Sequence, residues 1–172
     1  MIRNEVVSLE YRVNKAFEGR YFMGHTPVMT LRGRNDWGRL INPQGSGIDL
    51  FINTFTVSNY SDTPFQAELW LNPQPGRGFV SSYVTVSNTA RMPLREPKTK
   101  LMYQPDAGES PRGGVSLFSR VASANDTVVG NYYGKIVVPE GGSFLVFLYA
   151  PRDEVSTELG FGWWEDRAAR PY

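Results

Sequence analysis

Period-two alternation, interrupted at short intervals by glycine and proline, is the feature that most limits what this chain can fold into. Phe65, Ala67, Leu69 and Leu71 alternate with Gln66, Glu68, Trp70 and Asn72, as in a strand with one face buried and the other wet. Val7, Leu9, Tyr11 and Val13 alternate with Ser8, Glu10 and Arg12 in the same way. In the longer run 48–57, Ile48, Leu50 and Ile52 have one parity while Phe51, Phe55 and Val57 have the other. Such a strand is covered on both faces or carries a bulge. Further strands are expected at 26–31, 80–86, 115–121, 135–138, 143–149 and 158–164. Residues 33–47 read as a loop, Pro73 to Gly78 as a reversal. Residues 93–114, with four prolines, read as a long connection with a short strand at 100–103.

Composition agrees with that pattern. The chain has 17 Gly, 12 Pro and 13% aromatic residues, a turn density that suits many short strands and few helices. At 172 residues it can bury about 70% of its unfolded surface without disulfide or metal support. The expected fold is all-β: an antiparallel two-sheet sandwich, jelly-roll-like, with a barrel of different connectivity as the alternative. Residues 1–24 form an N-terminal strand and connecting arm, 25–165 the sandwich, and 166–172 a polar tail. Leu69, Leu71, Val84, Val86, Ile136, Phe144, Val146 and Leu148 are the expected core.

Chemistry is hard to find. With no cysteine and a single histidine, His25, the chain cannot assemble thiolate sites, cysteine nucleophiles or multi-histidine metal centres. No nucleophile elbow or phosphate loop appears; Gly45-Ser46-Gly47 and Gly76-Arg77-Gly78 are turns. Asp49, Glu68, Asp126, Glu158 and Glu165 are the carboxylates on or beside strands, and nothing pairs two of them as a glycosidase requires. Asp106-Ala107-Gly108-Glu109 and Asp153-Glu154 are only loose calcium candidates. The expectation is therefore no enzyme, no cofactor and no metal. A net charge of +1 gives no electrostatic reason for a nucleic-acid partner. The cluster Arg91, Arg95, Lys98 and Lys100 reads as a solvated loop or interface rim. No stretch reaches the roughly 20 apolar residues of a membrane span, so no membrane insertion is expected. Met1-Ile2-Arg3-Asn4-Glu5 lacks a secretory pattern.

Aromatic residues are the more informative group. Trp70 lies on the polar parity of its strand, and Trp163 and Trp164 fall on opposite faces of another. All three are candidates for a subunit interface or for stacking on a glycan.

Residues Gly33-Arg34-Asn35-Asp36-Trp37-Gly38, Asn42-Pro43, Leu50-Phe51-Ile52-Asn53, Gly141 to Leu148 and Phe161-Gly162-Trp163-Trp164-Glu165 resemble a family of small proteins from spore-forming bacteria. The likeness spans about residues 33–165 and carries no established chemistry. It implies a bacterial source and a place in the spore coat or its appendages, reached by lysis of the surrounding cell.

Two functions are expected from these readings. The first is a structural subunit that self-assembles into an extracellular or spore-surface filament or lattice. Its partner is another copy of itself, reached by strand addition through Val7, Leu9, Tyr11 and Val13. The alternative is a glycan-binding sandwich module. The expected location is extracellular or spore-surface, otherwise cytoplasmic.

Overall fold

In Ser143–Tyr149 six successive residues are buried and only the last is partly open, so this strand must be covered on both faces. Phe144, Val146 and Leu148 point into the main core, while Leu145 and Phe147 join Trp37 in a second cluster. A computed structural model describes residues 10–74 and 76–168. In chain order its elements are α1 (Tyr11–Phe17), β1 (Tyr21–His25), β2 (Met29–Leu31), β3 (Asn35–Ile41), β4 (Ile48–Asn59), β5 (Phe65–Leu71), β6 (Phe79–Val80), β7 (Val84–Val86), β8 (Lys100–Gly108), β9 (Val115–Ala122), β10 (Thr127–Val138), β11 (Ser143–Tyr149) and β12 (Val155–Arg167).

The strands form two antiparallel sheets. One runs β10-β4-β12-β1-β7, with β2 beside one end of β12; the other runs β6-β8-β3-β11-β5-β9. Four pairings are nested: β1 with β12, β3 with β11, β4 with β10, and β5 with β9. A long antiparallel hairpin rolled over on itself gives this order, which is a jelly roll. Residues 72–114 are the tip of that hairpin. Their strands extend both sheets on one side, β7 beside β1 and β8 beside β3. The opposite side ends at β9 and β10.

The sandwich and its expected core are present. Leu69, Val86, Phe144, Val146 and Leu148 are buried, and Leu71, Val84 and Ile136 pack against them partly buried. Several boundaries differ from the sequence reading. Residues 33–47 include β3, whose run Asn-Asp-Trp-Gly-Arg-Leu-Ile hides its alternation behind Asp36 and Gly38. The long connection contains nine-residue β8, and the strand expected at 135–138 is the end of twelve-residue β10. β10 is broken by a bulge between Asn131 and Ile136, with Tyr133 and Gly134 at positive φ, so its period is interrupted where pattern reading looks for continuity.

The N-terminal strand also needs correcting. Val7 and Leu9 lie outside the described residues, but Tyr11 and Val13 belong to helix α1. The helix ends in a Schellman turn: Arg20 N–H donates to the Lys15 carbonyl (2.8 Å) and Gly19 N–H to the Ala16 carbonyl (3.0 Å). Gly19, at φ +68°, supplies the left-handed residue that this stop requires. Tertiary contacts choose helix over strand here. The Tyr11 hydroxyl donates to Asp166 (2.6 Å), while Lys15 and Arg20 form ion pairs with it at 2.8 and 2.7 Å. Tyr11 and Lys15 are four residues apart, so only a helix aims both at one carboxylate.

Buried polar groups fasten the loops. Asn42 donates to the Ile48 and Val138 carbonyls (2.8 and 3.0 Å), and Asn59 to those of Thr63 and Ser123 (2.9 and 3.0 Å). Buried Glu165 accepts the Lys98 and Thr99 amides (3.1 and 2.8 Å), closing the long connection onto β12.

Among the described residues Asp36 carries the one buried carboxylate oxygen left without a partner. It is fully buried, its Oδ1 accepts the Asp106 amide at 2.9 Å, and its Oδ2 has no partner. Burial pushes its pKa from 3.8 up to about 6, against the smaller lowering effect of the Asp106 amide. The unfolded chain then loses this proton at lower pH than the folded one, so rising pH costs stability between about 4 and 6. Asp36→Asn should match the parent below pH 4 and exceed it by about 3 kcal/mol above pH 6, read by urea denaturation; a pH-independent difference would contradict the assignment. For Asp166, burial opposes ionisation, but hydrogen bonds from Lys15, Tyr11 and the Arg167 amide prevail and hold its pKa at about 2. Its contribution is complete above pH 4 and disappears as pH falls through 2. Asp166→Asn should speed amide exchange across residues 11–17 while leaving β11 protected; unchanged exchange in α1 would show that other contacts hold the helix.

Candidate functional site

The outer face of the β10–β7 sheet carries a trough created by two glycines. Gly160 and Gly162 share a parity on β12, so neither puts a side chain on that face. Thr54 and Thr56 flank them from β4, and Met23 and His25 from β1: Gly162 pairs with Thr54 and Met23, Gly160 with Thr56 and His25. Two interstrand steps separate the walls, about 10 Å. Tyr83 and Thr85 extend the second wall. The trough has a volume of about 550 Å³ and is open to solvent, within the size range of small-molecule sites.

The far wall is ordered. His25 and Tyr83 rings stack at 4.8 Å with 11° between planes, and the His25 amide donates to the Tyr83 carbonyl at 3.0 Å. His25 Nδ1 donates to the Thr26 carbonyl at 2.8 Å, which leaves Nε2 as the acceptor of the neutral ring. A Glu158 carboxylate oxygen lies 3.7 Å from Nδ1. Met23 and Tyr83 are 48% and 54% exposed, so both present apolar surface to anything entering. Neighbouring side chains also use the missing Cβ atoms. A Cβ on Gly160 would stand 2.5 Å from Thr56 Oγ1, and one on Gly162 2.7 Å from the Tyr21 hydroxyl. Side chains at these positions would fill the floor and displace its edges.

The tryptophans singled out in the sequence are elsewhere. Trp163 is completely buried in the core, stacked on Phe22 at 6.0 Å. Trp164 is 3% exposed, stacked on Phe51 at 5.3 Å and met edge-on by Tyr11 at 6.1 Å. Gly134 lies against the same indole, where a Cβ would be 2.0 Å from Cη2; the β10 bulge makes the room. Neither indole has a face for a glycan. Trp70 is half-buried with Trp37, Leu145 and Phe147 on the outer face of the second sheet.

Several of the charged candidates are bound to their own chain. Glu68 accepts the Ser116 and Tyr149 hydroxyls, each at 2.6 Å. Arg91 donates to the Glu18 carbonyl and Lys98 to that of Ser46. Glu109 pairs with Arg112, and Glu154 with Arg32. Asp126 accepts the Thr127 amide. Among the described residues no three His, Asp or Glu stand close enough to hold a metal ion. Sequence reasoning named His25 only as an isolated histidine and missed Met23, Thr54, Thr56, Tyr83, Gly160 and Gly162. One signal was available: Gly160 and Gly162 empty the same face of a strand beside aromatic Phe161, Trp163 and Trp164.

Comparison with known proteins gives a single assignment. No curated protein and no solved structure matches the chain. The model of a family of unknown function, DUF6143, matches residues 1–170, and the chain belongs to that family.

Proposed function

We propose that this chain is a structural subunit that associates with copies of itself through the β9–β10 side of the sandwich. The observation that carries this reading is the contrast between the two sides. The 72–114 connection extends both sheets on one side, whereas on the other β9 is paired only with β5 and β10 only with β4 among the described residues. An unpaired strand offers a row of free N–H and C=O groups to a neighbour.

This side is also apolar. Val115, Phe118 and Val121 on β9 and Val129, Tyr133 and Val137 on β10 are all exposed. Phe118 stacks on Tyr132 at 6.3 Å across the lip between the sheets, so the aromatic margin of the core faces water there. Carrying such a side chain fully out of water is worth roughly 1.5–3 kcal/mol. A second copy suits the site because an edge strand can pair antiparallel with itself about a twofold axis. Two edges on one side allow two neighbours, and hence the filament or lattice of an extracellular or spore-surface layer. The arm expected to donate a strand is helical at Tyr11 and Val13, so the contact is assigned to the edges instead.

Light scattering after size exclusion, with negative-stain microscopy, tests the reading. The protein should form dimers or longer particles, and the double variant Val121→Lys, Val129→Lys should be monomeric with an unchanged melting temperature. A parent protein that stays monomeric at high concentration, or assemblies indifferent to both lysines, would refute it.

A further inference from the structure

We infer that the glycine-floored trough on β12 is a binding site for a neutral oligosaccharide, independent of the edge contact. The inference starts from the cost of its floor. Glycine inside a strand weakens it and commonly marks the close approach of a ligand or another backbone. Here two such residues, Gly160 and Gly162, stand on one face of the strand that pairs with β4, β1 and β2.

The lining sets the class of ligand. The floor is glycine backbone, and the far wall is the parallel His25–Tyr83 ring pair with Met23 beside it. These surfaces match the C–H faces of a pyranose. Hydroxyl-bearing Thr54 and Thr56 on one side, with Ser82 and Thr85 on the other, give short donors and acceptors for sugar hydroxyls. The lining as a whole is predominantly apolar, which the C–H faces of a pyranose satisfy and against which decanoate is the control. A strongly charged ligand has no matching cluster of opposite charge, since His25 is the one ionisable side chain in the trough wall besides Tyr83. The Tyr21 hydroxyl, which accepts from Asn53 at 2.6 Å, bounds the Gly162 end of the trough.

Calorimetric titration with cellohexaose, chitohexaose, maltohexaose and mannohexaose tests this, with decanoate as the apolar control. At least one hexasaccharide should bind. Tyr83→Ala should weaken that binding about tenfold or more by removing the exposed ring, and Thr54→Val should weaken it severalfold at nearly unchanged side-chain volume. Both positions are at the surface, and circular dichroism with melting temperature verifies that the variants fold. Silence toward all four sugars, binding indifferent to both changes, or preference for decanoate would overturn the assignment. A change in oligomeric state on Tyr83→Ala would also overturn it, by making the trough a subunit contact. The Val121→Lys, Val129→Lys variant should bind sugar as the parent does, which separates failure of this inference from failure of the assembly reading.

Discussion

The double pairing of β12 is the constraint on which most of this molecule depends. Its thirteen residues bond to β4 along nearly their whole length and to β2 and β1 on the other edge. Held on both sides, the strand cannot slip by one residue without exchanging its two faces. Leu159, Phe161 and Trp163 would then leave the core, and the glycines between them would enter it.

Each outward position of β12 has a separate use because of that fixed register. Gly160 and Gly162 leave the trough open between β4 and β1. Past the irregularity between Gly162 and Trp163, Trp164 turns outward and is sealed by Phe51, Tyr11 and the β10 bulge. Asp166 then anchors α1, while buried Glu165 fastens the long connection. Open trough, helix dock and loop clamp thus follow one another along a single strand.

The two sides of the sandwich are physically unequal. The hairpin tip is long enough to supply β6, β7 and β8, and it spends them where sheet edges would otherwise be bare. At the other side β9 and β10 are joined by a short turn with no spare chain to cover them. An interior carboxylate and an apolar lip that no described residue covers are both costly features. Asp36 has no opening to solvent, so its cost falls on stability. Among the described residues nothing covers the lip, and a neighbour can.

Alternation in β5, together with turn residues spaced between strands, was enough to establish an all-β sandwich, and of the eight expected core positions Leu69, Val86, Phe144, Val146 and Leu148 are buried while Leu71, Val84 and Ile136 are partly so. The tertiary structure decided the rest. Residues 11–17 became helix because Asp166, 149 or more positions away, accepts from Tyr11 and Lys15 together. Strand β3 formed because β11 and β8 lie on both sides of it, despite Asp36 and Gly38 in its pattern. The trough is assembled from β1, β4, β7 and β12, and no local periodicity records that Thr54, Gly162 and Met23 share a row. Local sequence reports which side of a strand is apolar; which strands become neighbours is settled by long-range pairing, and the trough and the open edges exist only at that level.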